Sequence, residues 1–184
     1  MEKDGTIHSA GDTVLGADDI SGILEILYGV QLVLDSGKPH KKIEILFTIG
    51  EELYVKGSDV FDYSKVTAKQ AYVLDLSEET TFNIGTIQGG TATNIVPDCC
   101  VLTAYETPLE SKSVTDFQKA CEILGFSGEL TGTFGGSDNN SFAKNGIEGL
   151  VLSNGMYNAH STREYTTVDD LYKGAELIGQ LILL

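Results

Sequence analysis

The stretch KKIEILFTIGEE, residues 41–52, is the part of the sequence that decides the fold. In an extended conformation, one face of this stretch carries Ile43, Ile45, Phe47 and Ile49. Leu46 adds an apolar side chain to the opposite face. Apolar residues on both faces are typical of a parallel strand that is covered by helices on both sides. We therefore predict a buried strand over residues 41–50, which ends at the glutamate pair Glu51–Glu52.

Helical and extended patterns alternate around this strand. Residues 18–37 have a broad apolar stripe at helical spacing, and Gly37 ends the pattern. A short helix is predicted from about Glu51 to Phe61, and AYVLDL at 71–76 has the pattern of a second strand. This order predicts an α/β fold with a mostly parallel, twisted sheet covered by helices.

The remainder of the chain continues the alternation after one interruption. The sequence pattern of residues 77–112 differs from that of the flanking segments. It suggests two strands around a glycine-rich turn. The later elements are predicted as a helix at 113–126 capped by Ser113 or Thr115, a short helix after GGSD at 135–138, a strand at 148–155 and a helix at 168–184.

Composition excludes several classes of function. The chain of 184 residues carries 27 acidic and 12 basic residues, for a net charge of −15. Such an acidic chain lacks the basic surface that nucleic-acid binding requires. It has three cysteines without the spacing of a disulfide framework or a zinc site, and no apolar run of membrane-spanning length. We expect a cytoplasmic protein that binds neither nucleic acid nor membrane.

The adjacent glutamates have two interpretations. Acidic residues favour the first turn of a helix, because its free N–H groups carry partial positive charge. Alternatively, the pair is catalytic, with one carboxylate binding a metal and the other transferring protons. Three further candidate ligands stand where a strand meets a loop or a helix begins, namely Asp18, Asp75 and His160.

Each of these three residues also has a structural interpretation, as a turn former, a cap or a hydrogen-bonded histidine. Their joint position favours a site, because the carboxyl ends of parallel strands line one crevice. One histidine with several carboxylates suits zinc, manganese or cobalt.

Six segments of the sequence resemble a known family in their order along the chain. They are TVLGADDISGI, FTIGEEL, AYVLD, GTIQGGTATNIVPD, GGSDNNSF and NGMYNAHSTREYTTVDDL. Together they resemble the peptidase T-like and carboxypeptidase G-like family of dinuclear zinc exopeptidases, over nearly the whole chain. The resemblance implies a metal-dependent hydrolase that cleaves a small peptide, or a related amide, near a free terminus.

The resemblance also implies roles for individual residues. Asp18 matches the carboxylate that bridges two metal ions. Glu52 and His160 match ligands of one ion, and Asp75 matches a ligand of the other. Glu51 matches the general base.

Asn94 resembles a position that contacts the substrate near the scissile bond.

Two departures from the family pattern modify these expectations. The family has an upstream His-x-Asp segment, and this chain begins only 17 residues before Asp18. We therefore expect an N-terminally truncated catalytic domain, formed by residues 1–76 and 113–184. The inserted lid or dimerisation domain of the family is reduced to a short β-rich remnant at 77–112.

These departures predict one tightly held zinc ion per chain, with a second site that is weak or absent. Missing strands also predict an exposed sheet edge, and hence a homo-oligomer or low stability. Two alternatives to an active enzyme stay open. One is a catalytically impaired metal-binding remnant, and the other is an acidic α/β interaction domain that binds no metal.

Overall fold

The computed structural model describes residues 2–76, 87–89, 100–102, 107–131 and 136–184. Within these ranges the helices are α1 Ala17–Ser36, α2 Lys56–Asp59, α3 Lys112–Leu124, α4 Asn139–Lys144 and α5 Val168–Leu183. The strands are β1 Thr6–His8, β2 Gln70–Leu76, β3 Ile87–Gly89, β4 Cys100–Leu102, β5 Glu148–Ser153 and β6 Tyr165–Thr167. Single 3₁₀ turns span Glu51–Leu53 and Tyr63–Lys65.

A parallel strand pair forms the centre of the described structure. β2 pairs with β5 in parallel, and α1, α3 and α5 contact this pair or one another. The buried core consists of Leu74, Ala120, Leu152, Ile178 and Leu181. These side chains come from β2, α3, β5 and α5, so the core lies between the helices and the parallel pair. The predicted α/β class is confirmed.

The longest helices pack closely because α1 has a glycine at the contact. A Cβ atom at Gly29 would lie 2.7 Å from the carbonyl oxygen of Ala175 and 2.9 Å from the Cβ of Ile178. Such distances are shorter than any ordinary carbon contact, so the approach of α5 requires a residue without a side chain there. The packing fixes the beginning of α1, where Asp18 lies, relative to the sheet.

Two smaller sheets complete the described strands. β1 pairs with β6 antiparallel, in the register Thr6 with Thr167 and His8 with Tyr165. β3 and β4 also form an antiparallel pair, within the 77–112 interval where two strands are predicted. The strand β6 is absent from the sequence-based prediction, because three residues are too few to produce a recognisable pattern.

The predicted strand at 41–50 is not a strand in the structure. Residues 40–48 form neither helix nor strand with the described residues, and a cavity of about 980 Å³ is lined by this segment, α1 and β2. The segment is instead held by Glu44, whose carboxylate accepts the backbone N–H groups of Thr67 and Ala68, both at 3.0 Å. The burial predicted for this segment is also wrong, because Ile45, Phe47 and Ile49 are exposed. An alternation of apolar residues does not form a strand without a paired backbone.

Two local predictions also differ in detail. The helix predicted at 51–61 is interrupted by Tyr54 and Val55, which have positive φ angles of 68° and 49°. The N-cap of α3 is Ser111, whose Oγ accepts the N–H of Val114, rather than a later residue. Among the described residues, no helix has the length and apolar character needed to cross a membrane.

Candidate metal centre and active site

Three separate segments bring Asp18, Glu52 and His160 together. Asp18 lies at the start of α1, where it and Asp19 have non-helical dihedral angles. Glu52 lies in the 3₁₀ turn that begins after Gly50, and the φ of 70° at Gly50 suits a residue without a side chain. His160 lies in the loop between β5 and β6, with a φ of 62°.

The three side chains are within the reach of one cation. One potential ligand atom from each lies within 4.8 Å of the others. The Nε2 atom of His160 is 2.8 Å from Oδ2 of Asp18 and 3.0 Å from Oε1 of Glu52. Asp18 is 17% exposed, whereas His160 and Glu52 are more than 60% exposed. A cation could therefore enter from solvent, and two carboxylates with one imidazole are suitable ligands for a divalent metal.

The charges around His160 favour its protonated form. Burial alone would lower the pKa of His160, but the hydrogen bond to Asp18 and the negative charges of Glu52, Asp18 and Glu164 raise it above its ordinary value. A protonated imidazole then lies between two carboxylates. In the metal-free protein, the imidazole thus provides a positive charge beside Asp18 and Glu52, at the place where a bound metal ion would provide one.

Glu51, the neighbour of Glu52, differs from it in environment. Glu51 is half-buried, and burial raises its pKa to about 7, with further contributions from the charges of Glu52, Asp138 and Asp18. A carboxylate with a pKa near neutrality can both accept and return a proton under the conditions in which an enzyme works. The structure thus separates the adjacent glutamates into one solvent-exposed and one half-buried group.

Asp75 lies at the end of β2, beside the same carboxylates. The register with β5 shifts between Leu74 and Leu76, so Asp75 has no partner in the ladder. Burial raises the pKa of Asp75 to about 8, helped by the charges of Glu51 and Asp18 in particular. Asp75 lines the same cavity as these groups, although it is outside the cluster whose ligand atoms lie within 4.8 Å of one another.

Asp19 is a half-buried carboxylate that sequence reasoning missed. Its Oδ1 accepts the Gly22 N–H at 3.1 Å and a hydrogen bond from the amide of Asn154. Burial raises its pKa to about 7, an effect that the charge of Asp18 increases and the two hydrogen bonds reduce. Asn154 is fully buried and also donates to Ser21 at 3.2 Å. This network fixes the first residues of α1 against the end of β5.

Asp138 and Glu164 are two further buried carboxylates near the site. Asp138, in the GGSD segment, accepts hydrogen bonds from the hydroxyl groups of Thr48 and Ser58, the latter at 2.5 Å. It thereby holds both ends of the segment that carries the two glutamates. The GGSD sequence marks Asp138 as a helix start, but nothing in the sequence around Glu164 identifies it as a site residue.

Asn94, predicted to contact substrate, lies outside the described residues. The other five predicted site residues all lie where strands and helices end around one opening. Glu51 and Asp75 share this opening, and burial first, then the charges of neighbouring carboxylates, raises their pKa values. A divalent cation would offset the repulsion between these carboxylates.

Comparison with known proteins identifies the family. The sequence profile of peptidase family M20/M25/M40 matches residues 2–184. The uncharacterized protein YqjE of Bacillus subtilis strain 168 is 23% identical, over 98% of this chain and 74% of that protein. Peptidase T of Vibrio cholerae serotype O1 (strain O395) is 43% identical over 70 residues, which are 38% of this chain and 17% of that protein.

A structural comparison agrees with the sequence comparison. The crystal structure of aminopeptidase PepT from Bacillus cereus ATCC 10987 superimposes with a TM-score of 0.82, at 23% identity, over 99% of this chain and 74% of that chain. This likeness establishes the shared fold. The sequence profile spans almost all of the chain, and from this match we conclude that the protein belongs to peptidase family M20/M25/M40.

Proposed function

We propose that the chain hydrolyses a small peptide near one of its free termini, using a divalent metal held by Asp18, Glu52 and His160. By family it is a metallopeptidase. The observation that carries the proposal is the convergence of these three side chains, from three distant segments, to within 4.8 Å of one another. Solvent-exposed carboxylates often cluster without function, but an added imidazole in contact with both makes a metal-ligand set.

The residues divide the chemistry between them. A bound divalent metal would supply a Lewis acid that makes a water molecule acidic enough to attack near neutral pH. Glu51 would accept the proton of the attacking water and return it to the leaving nitrogen. Its position next to the proposed ligand Glu52, in the same 3₁₀ turn, supports this role. Asp138 would hold the segment that carries Glu51 through its bonds to Thr48 and Ser58.

Zinc is the proposed metal, with one tightly bound ion per chain. The cluster contains one imidazole and two carboxylates, a ligand set that zinc, cobalt and manganese all accept. Asp75 with Asp18 would form a second site, which we propose to be weak because no further histidine lies beside Asp75 among the described residues.

We also propose a division of the chain into two parts. Residues 1–76 and 113–184 would form the catalytic domain, and 77–112 would be the remnant of an inserted lid. The antiparallel pair β3–β4 within 77–112 supports the second part. The alignment with YqjE runs over 276 positions although this chain has 184 residues, so at least 92 positions of it have no residue here. That difference supports a large internal shortening.

Self-association is a further proposal, supported by the exposed stripe of α1. Ile20, Leu24, Leu27 and Leu34 are each about half exposed on this helix. Contiguous exposed apolar patches are more common at protein interaction sites than on the rest of a protein surface. The cytoplasmic location stays a prediction from the sequence.

The substitution Glu51→Gln tests the proposed function. We expect hydrolysis of a tripeptide to fall by roughly 100-fold or more, as is usual when a general base is removed. Zinc binding should persist, because Asp18, Glu52 and His160 are unchanged. Glu122→Gln, an exposed glutamate on α3, is the matched control and should leave both properties unaltered.

Two other results would revise the proposal in different ways. Zinc binding by the unmodified chain without any hydrolysis would identify a metal-binding remnant that has lost its activity. Failure of the unmodified chain to bind zinc at micromolar concentration would overturn the proposed function.

A further inference from the structure

Glu164 is a buried carboxylate that joins two parts of the candidate metal centre. Its side chain is 2% exposed. One carboxylate oxygen accepts the N–H of Gly16 at 2.7 Å, and the other accepts the N–H of Asp18 at 3.0 Å. Each oxygen thus holds the backbone of the segment from which the Asp18 side chain projects.

Glu164 belongs to the same loop as His160. The base of this loop is closed by Tyr157 and Tyr165, which exchange backbone hydrogen bonds at 3.0 and 3.1 Å and stack their rings at 4.7 Å. Inside the loop, the N–H of Glu164 donates to the carbonyl of Ser161 at 3.1 Å. These contacts fix Glu164 and His160 with respect to each other.

The loop and the beginning of α1 therefore meet twice. The first contact is the side-chain pair of His160 and Asp18, at 2.8 Å and largely exposed. The second is the pair of part-buried hydrogen bonds that the Gly16 and Asp18 amides donate to the buried carboxylate of Glu164. Hydrogen bonds to a charged group in a buried place are stronger and more directional than those at a surface. The buried contact is thus suited to set the geometry of the exposed one.

We propose that Glu164 is a positioning residue that holds Asp18 and His160 at the separation needed to share one metal ion. This inference deepens the proposed function and rests on it. Glu164 is not one of the three residues whose ligand atoms lie within 4.8 Å of one another, so its proposed role is to position ligands rather than to bind the metal. Residues that orient metal ligands in this way typically contribute about 10- to 100-fold to metal affinity.

A purely structural role for Glu164 is the competing explanation, and Glu148 provides the comparison. Its carboxylate accepts the N–H of Ser113 at 2.7 Å, at the first turn of α3. Like Glu164, it is a side chain that holds the backbone at the beginning of a helix. It contacts none of the proposed metal ligands in the described structure, so its loss should affect stability alone.

The experiment compares Glu164→Gln with Glu148→Gln in the full chain. Glutamine keeps the size of the side chain but replaces one acceptor oxygen with an NH₂ group, so one of the two bonds to the α1 segment is lost. Zinc affinity is measured by competition with a chromogenic chelator, at a temperature where all variants are folded. Amide hydrogen exchange at Gly16 and Asp18 is measured in the metal-free proteins.

We expect Glu164→Gln to weaken zinc binding by about 10- to 100-fold and to accelerate exchange at Gly16 or Asp18. Glu148→Gln should change neither quantity. If the glutamine variant does not fold, Glu164→Asp replaces it, because aspartate keeps the charge and is shorter by one methylene group.

Three results would overturn the inference. Unchanged zinc affinity in the Glu164 variant would show that the residue does not position the ligands. Weaker binding without faster exchange would show that Glu164 acts through its charge on His160, a charge that also raises the pKa of His160. Absence of zinc binding in the unmodified chain would overturn the proposed function together with the inference, whereas the first two results leave the proposed function standing.

Discussion

Two parts of the candidate site gather different kinds of groups. One part combines Asp18 and Glu52 with His160, and the imidazole contacts both carboxylates. The other part contains Glu51 and Asp75, whose burial raises their pKa values to about 7 and about 8. The first part therefore has His160 as a direct partner, whereas in the second part burial and like charges outweigh the charge of His160 on Glu51.

This difference supports the proposed division of the site into a metal ligand set and a general base. A ligand set requires groups that face one point, and the contacts of Asp18 and Glu52 with His160 bring these groups together. A base requires a group whose proton affinity lies near the working pH, which burial beside other carboxylates produces. Adjacent residues such as Glu51 and Glu52 can serve both purposes because the 3₁₀ turn exposes one and partly buries the other.

The largest predicted effect follows from removing the imidazole. We expect His160→Ala to weaken zinc binding by more than about 100-fold, because losing a direct ligand costs more than losing a residue that orients one. Isothermal titration of the metal-free chain with zinc measures the change. The loss is expected because His160 is the sole histidine in the described cluster with Asp18 and Glu52.

His8→Ala is the matched control for this substitution. His8 is also exposed, and its Nε2 contacts the carboxylate of Glu2 at 2.9 Å. The control should bind zinc as the unmodified chain does. Equal losses in both variants would mean that zinc binds histidines non-specifically, and the comparison between the two parts of the site would lose its basis.

A smaller effect is expected from the second part of the site. Asp75→Asn should change the affinity of the tight zinc ion by less than about threefold, because Asp75 is outside the cluster that contacts His160. It should abolish binding of any second, weaker ion. Elemental analysis after dialysis should give one zinc per chain in both proteins. Two equally tight ions in the unmodified chain would contradict the unequal sites.

The sequence identifies the candidate ligand residues better than it predicts the contacts that bring them together. Asp18 stands at the beginning of the well-patterned helix α1, His160 lies in the loop that follows the well-patterned strand β5, and the ordered motifs of the family mark the same residues. The contact between them depends on Glu164 and on β6, which have no pattern of their own. Local periodicity determines helices such as α1, but a carboxylate that binds the backbone of a distant segment depends on tertiary structure.

The same limit explains the incorrect strand at 41–50. Its alternation of apolar residues predicts a buried segment, but Ile45, Phe47 and Ile49 are exposed, and the segment lines the large cavity with α1 and β2. Whether the backbone also pairs depends on the position of β2, far along the chain. The side-chain pattern contains no information about that distance.

The smallest predicted effect concerns stability as a function of pH. The folded pKa values of Asp75 and Glu51 are higher than their ordinary values of 3.8 and 4.5. Between the ordinary and the folded values, the folded protein holds more protons than the unfolded chain. The free energy of unfolding must then fall as pH rises. We expect the metal-free protein to melt at a temperature more than about 5 °C lower at pH 8 than at pH 5, since 1 kcal/mol corresponds to roughly 2–4 °C in a chain of this size.

Calorimetry of Asp75→Asn distinguishes this effect from the general repulsion within a chain of net charge −15. Asparagine cannot ionise, so the variant should lose less stability than the unmodified protein between pH 5 and pH 8. General repulsion would affect both proteins almost equally, because one charge in so many changes it little. Saturating zinc should reduce the pH dependence of the unmodified protein, since a cation favours the ionised carboxylates. Identical pH profiles for the variant and the unmodified protein would mean that Asp75 is not held in a buried, like-charged environment, and the contrast between the two parts of the site would then rest on His160 alone.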